Sequence, residues 1–107
     1  MAPVFEIADK SGRNIRMPQK QWSHIIRKHS FMAVYEEEIK ETIMKPDRIL
    51  EYSFDEFVRY YYKFYKHKKG RYKYLFVVIK YLNGTGFIIS AYFEDKEAIR
   101  ISKRDRI

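Results

Sequence analysis

The spacing of apolar positions changes character near residue 46. Between residues 19 and 29 the apolar side chains are Trp22, Ile25, Ile26 and, when neutral, His29. Their spacing of i, i+3, i+4, i+7 predicts a helix with one packed stripe. Pro18 fits the first position of that helix, where its missing N–H costs nothing. A second helix is predicted over residues 33–44, with Val34, Ile39 and Ile43 inward. Glu36, Glu37 and Glu38 fall in its first turns, where the helix dipole favours negative charge. Pro46 stops it, because the residue before a proline resists the α conformation. Ahead of the helices, residues 4–7 predict a first strand, Ser11-Gly12 a turn and residues 14–17 a short second run.

Beyond Pro46 the pattern turns to that of an antiparallel sheet. Residues 48–52 form a short β candidate. Over residues 57–65 the side chains alternate, with Val58, Tyr60, Tyr62 and Phe64 on one face and Phe57, Arg59, Tyr61, Lys63 and Tyr65 on the other. Residues 66–71 form a basic hairpin loop. Residues 72–82 are apolar on both sides, which suits a central strand, and Asn83-Gly84 is a strong hairpin signal. In residues 86–94, Phe87, Ile89, Ala91 and Phe93 are expected inward, opposite Ile88, Ser90 and Tyr92. The expectation is a single α+β domain over residues 1–107. Two N-terminal helices would pack on one face of a four-stranded, mostly antiparallel sheet. The other face is left to solvent or a ligand.

Composition narrows the function. The 107 residues carry 22 Lys+Arg against 14 Asp+Glu, a net charge of +8, and 46% of them are hydrophobic. A chain this apolar builds a core, which excludes an intrinsically disordered tail. It has no cysteine, which excludes disulfides, zinc-thiolate sites and thiol nucleophiles. Its apolar runs are far short of a bilayer span and no leader is visible, so a cytoplasmic protein with no membrane partner is expected. Excess cation attracts polyanions. Aromatics interleaved with Lys and Arg over residues 59–73 suit bases beside phosphates. RNA comes ahead of duplex DNA, because no recognition-helix motif is present.

The candidate chemistry follows from that substrate. His24, His29 and His67 lack the spacing of a metal site, so no metal and no cofactor are expected. Metal-free RNA cleavage needs a general base for the 2′-hydroxyl, a general acid for the 5′-oxygen, and donors that stabilise the crowded phosphorane. Histidine suits the acid/base role, with an ordinary pKa of about 6.5. On a helical wheel His29 falls on the packed stripe with Ile25 and Ile26. His24 falls about 140° away, beside Lys20, Arg27 and Lys28. His24 is therefore the first candidate, and His29 joins it only if it lies beyond the helix end. His67 belongs to the basic loop. Ser90 and Tyr92, at i and i+2 on a strand, direct both hydroxyls to one face. Arg59 and Lys63 alternate onto one face with Tyr61 and Tyr65. Ordinary structural roles compete in each case: a solvated His24, a helix-end His29 bonded to backbone, plain strand residues at Ser90 and Tyr92, a solvated face at Arg59 and Lys63.

The order of motifs adds a resemblance. Met17-Pro18-x-x-x-Trp22-x-His24-Ile25-x-x-Lys28-His29 precedes an acidic helix and Lys45-Pro46-Asp47-Arg48-Ile49. A Tyr-rich strand, a Val/Ile strand and Ser90-Ala91-Tyr92 follow. Over roughly residues 14–94 this resembles the phage- and toxin-associated branch of the barnase/EndoU/colicin/RelE-like (BECR) nucleases. The resemblance implies metal-independent endonucleolytic cleavage of tRNA or mRNA to a 2′,3′-cyclic phosphate. It also implies toxin-like behaviour and an acidic antitoxin or immunity partner. His24 and His29 stand where the family places its acid/base histidine, and Ser90 and Tyr92 match its Ser/Thr-x-Tyr. Arg59, Lys63 or Lys73 would supply its phosphate-binding cation, and Lys28, beside His24, is a further substrate-binding candidate. The alternative is a non-catalytic RNA-binding module, or a domain that binds an antitoxin or phage protein.

Overall fold

The computed structural model describes residues 1–95, so residues 96–107 of the expected single domain lie outside the described residues. Strands β1 (Phe5–Ala8) and β2 (Asn14–Met17) form a hairpin and lead into helix α1 (Gln19–Lys28). A single 3₁₀ stretch (Ser30–Val34) then connects to helix α2 (Glu36–Met44). Strands β3 (Arg48–Tyr52), β4 (Asp55–Phe64), β5 (Tyr74–Leu82) and β6 (Thr85–Glu94) complete the described chain.

The class is α+β with two helices, but the sheet has six strands in the order β1-β2-β6-β5-β4-β3 and is mixed, which corrects the expected four-stranded sheet. The additional strands are the N-terminal hairpin. It joins the meander because β2 pairs with β6 in parallel, Ile15 opposite Gly86 and Arg16 opposite Phe87. Gly86 makes that junction possible. A Cβ there would lie 2.7 Å from Ile15 Cδ1, 3.0 Å from Ile79 Cγ2 and 3.1 Å from Tyr81 Cδ1. The hairpin residue Asn83 takes a positive φ of 56° and Gly84 one of 81°, the left-handed backbone that a two-residue turn between twisted strands requires.

The helices cover one face of the sheet. Ile25 of α1, Met32 of the 3₁₀ stretch and Ile39 and Ile43 of α2 pack with Ile15, Met17, Leu75, Val77, Ile79, Ile88 and Ala91 in one core. The expected continuous helix over residues 33–44 is interrupted at Tyr35, and Val34 is exposed rather than inward (77% accessible). The strand β6 also departs from strict alternation. Its register against β5 slips between Val78 and Ile79, so Ile79 opposes Ile88 while Val78 opposes Ser90. Ile89 is the extra residue of a β-bulge. Ile88, Ala91 and Phe93 are therefore buried, and Ile89 is not.

Candidate functional site

Two elements meet where the first histidine pair lies. Helix α1 is fixed against β6 by Gln21, whose Nε2 donates to the Ile89 carbonyl at 2.8 Å. The bulge supplies that acceptor, because β2 pairs with β6 only at its beginning. The helix ends at Lys28, and His29 is its C-cap, with φ −136° and ψ 80°. The His29 N–H still donates to Ile25 O at 2.7 Å, and its carbonyl accepts from Met32 N at 2.9 Å. His29 thus lies just past the helical residues, and its φ and ψ depart from the helical values that a wheel assumes. Its imidazole sits 6.3 Å from the Tyr92 ring, centroid to centroid, tilted by 35°, and 6.1 Å from Phe31.

Tyr92 belongs to the sheet face opposite the helices. Its ring stacks on Phe76 at 5.7 Å and 7°, and Phe76 stacks on Tyr62 at 5.1 Å and 24°. With Leu50 at the base and Tyr60 and Tyr74 alongside, these rings form a second, smaller apolar cluster. They spend their faces on one another, so they hold Tyr92 in place rather than offering bare faces to bases. Ser90 lies on the same side of β6, opposite Val78. His29, Tyr92 and Ser90 thus belong to one stretch of structure.

His24 is exposed on α1, one turn after Gln21, and with Arg27 and Lys28 it lines a shallow hollow of about 330 Å³. Lys28 is likewise exposed beside His29. The three other expected substrate cations are placed differently. Arg59, Tyr61, Lys63 and Tyr65 turn toward the helix side, where Tyr61 is buried in the main core. Arg59 is 3.7 Å from Glu51 and donates to Glu56 O and Val58 O. Lys63 closes the end of α2 by donating to Lys45 O at 3.0 Å, with Asp47 3.6 Å away. Lys73 donates to Lys66 O and Lys68 O, tying the loop between β4 and β5. The structure puts these three to structural use.

Two residues escaped sequence reasoning. Gln21, which anchors α1, looks in sequence like any polar position on a helix. Arg48 is exposed and pairs in register with Tyr62, and it forms no ion pair among the described residues. Only strand register brings it to that face.

A buried polar network lies apart from this region. Asp9, in the turn after β1, accepts Tyr81 Oη at 2.7 Å and Tyr61 Oη at 3.2 Å on one oxygen. Its other oxygen accepts the Ser11 and Arg13 amides and the Ser11 hydroxyl. Burial opposes the Asp9 charge, but hydrogen bonds from the Ser11 and Tyr81 hydroxyls and the two amides outweigh it and hold the carboxyl below its usual range. Burial pushes the Tyr61 and Tyr81 phenols up. The network is satisfied and structural.

Among the described residues no group of three His, Cys, Asp or Glu side chains is arranged to hold a metal, and no helix is long and apolar enough to cross a membrane. No protein-family model, curated protein or solved structure matches the chain.

Proposed function

We propose that the chain is a metal-independent RNA endonuclease whose reacting groups meet at the junction of α1 and β6. The observation that carries this reading is the imidazole of His29 beside the ring of Tyr92, in a chain of net charge +8. An imidazole next to a phenol supplies the proton transfer and the hydrogen-bond donation that cleavage by the 2′-hydroxyl requires. In that step the 2′-oxygen attacks phosphorus and gives its proton to an imidazole. The bond from phosphorus to the 5′-oxygen breaks, that oxygen takes a proton from an acid, and a 2′,3′-cyclic phosphate remains.

His29 carries the proton transfer. Tyr92 donates to a non-bridging phosphate oxygen, with Ser90 beside it on the strand. His24 is the second imidazole, and Arg27 and Lys28 draw phosphate toward it. The motif order shared with BECR nucleases supports the same chemistry on a cytoplasmic tRNA or mRNA, held in check by an acidic antitoxin or immunity protein.

Incubation of the purified protein with tRNA in EDTA, followed by gel electrophoresis, tests the reading. Discrete fragments ending in cyclic phosphate are expected. A shifted but intact band would leave a non-catalytic RNA-binding module instead.

A further inference from the structure

A second concavity lies on the α2 side of the sheet, at the Phe64 end of β4. It has a volume of about 510 Å³ and runs between α2 and the loop that joins β4 to β5. One wall is the α2 side, with Tyr35, Glu38 and Glu41. The other is the loop, with Lys66, His67 and Lys68.

The loop wall is built rather than loose. Tyr65 N donates to Lys73 O at 2.8 Å and Lys68 N donates to Tyr65 O at 3.1 Å. Lys73 holds the carbonyls of Lys66 and Lys68 from below. The Lys68 ammonium sits 4.5 Å from the Phe93 ring centroid, and Tyr35 packs on the same ring at 4.9 Å. The opposite wall is braced by Tyr65, whose hydroxyl donates to Glu41 Oε1 at 2.7 Å and approaches Glu38 O at 3.1 Å. Burial first, and then Glu41, pushes that phenol up, so it stays a donor. The Glu38 carboxylate has no hydrogen bond or ion pair among the described residues.

Charge is thereby separated across the opening, cations on the loop rim and carboxylate acceptors on the helix wall. A nucleoside monophosphate has the matching pattern: an anion at one end and a base edge bearing N–H donors at the other. The volume falls in the range of small-ligand sites, about 300–1,000 Å³.

We infer that this cleft is a nucleotide subsite that takes a base with an exocyclic amino group (adenine, cytosine or guanine) in preference to uracil. Lys66, His67 and Lys68 hold the phosphate. Tyr35 borders the base, and Glu38 accepts its amino hydrogens. A carboxylate set against the exocyclic position accepts an amino hydrogen there and repels the keto oxygen that uracil carries instead. The inference rests on the RNA reading above, of which it names the specificity element.

The test is titration of the full chain with AMP, CMP, GMP and UMP separately, and with inorganic phosphate, followed by amide NMR shifts. The three amino-bearing nucleotides are expected to shift the amides of residues 66–68, with UMP about tenfold weaker, the worth of one hydrogen bond to a charged group. The pair Lys66→Ala/Lys68→Ala should weaken all four nucleotides. Glu38→Gln should shrink the gap to UMP. Equal binding of UMP, shifts confined to other residues, or phosphate binding as well as the nucleotides would each overturn the inference. Cleavage of tRNA without base discrimination in this cleft removes the subsite alone. Nucleotide binding without tRNA cleavage removes the nuclease reading and leaves the subsite.

Discussion

At the scale of single residues, Tyr92 has two separable roles. Its ring stacks on Phe76, and its hydroxyl is the proposed phosphate donor. Tyr92→Phe keeps the first and removes the second. Losing one such donor typically costs about 10²–10³-fold in rate, so cleavage by the folded variant should fall by about that factor, out of proportion to any change in the urea midpoint. Equal losses of activity and stability would make Tyr92 a packing residue only. Asp9 makes the opposite case, a charged residue whose role is stability. It is 6% accessible and anchors both Tyr61 and Tyr81. Because its folded pKa lies below the unfolded value, its contribution is present above about pH 4 and fades as the pH falls through the folded pKa. Asp9→Asn should cost about 1–3 kcal/mol at neutral pH, measured by urea unfolding, since buried donors lose their charged acceptor. The difference from the wild type should shrink in acid. A loss unchanged down to pH 2 would separate it from the Asp9 charge.

At the scale of elements, the two junctions of β6 decide the architecture. Gly86 lets β2 approach, and a branched side chain there meets Ile15, Ile79 and Tyr81. Gly86→Val should destabilise by about 1–3 kcal/mol, the usual cost of overpacking a filled core, read as a lower urea midpoint. A neutral substitution would show that the parallel pairing tolerates more space than the geometry allows. These junctions also explain what the sequence made legible. Local periodicity suffices for α1, the β4–β6 meander and the Asn83-Gly84 turn, because each is a contact between near neighbours in the chain. The parallel pairing of β2 with β6 joins residues about seventy positions apart, and no local pattern encodes it. The bulge at Ile89 moved Ile88 inward because register, not alternation alone, sets the face. Ser90 and Tyr92 stay on one face because they lie beyond the slip. The candidate cations were less legible. Arg59, Lys63 and Lys73 are basic in composition, yet their partners, Glu51, Lys45 O and the loop carbonyls, come from other elements.

At the scale of the whole molecule, charge and site work together. A chain of net charge +8 that binds RNA through phosphate contacts releases counterions, so its affinity should fall steeply and linearly in log–log form as salt rises. Filter binding between about 50 and 200 mM salt measures this, and a flat profile would argue against a phosphate-directed surface. In the proposed function the same field would draw RNA toward α1, where His24, Arg27 and Lys28 are exposed. The end of that helix sets His29, its C-cap, beside the ring of Tyr92. The most direct test of the account is the rate of tRNA cleavage in EDTA by His29→Ala, with circular dichroism confirming the fold. Loss of a general acid/base predicts a drop of about 10²–10⁴-fold. A folded variant that cleaves within about twofold of the wild type would contradict the assignment of His29 as the acid/base group.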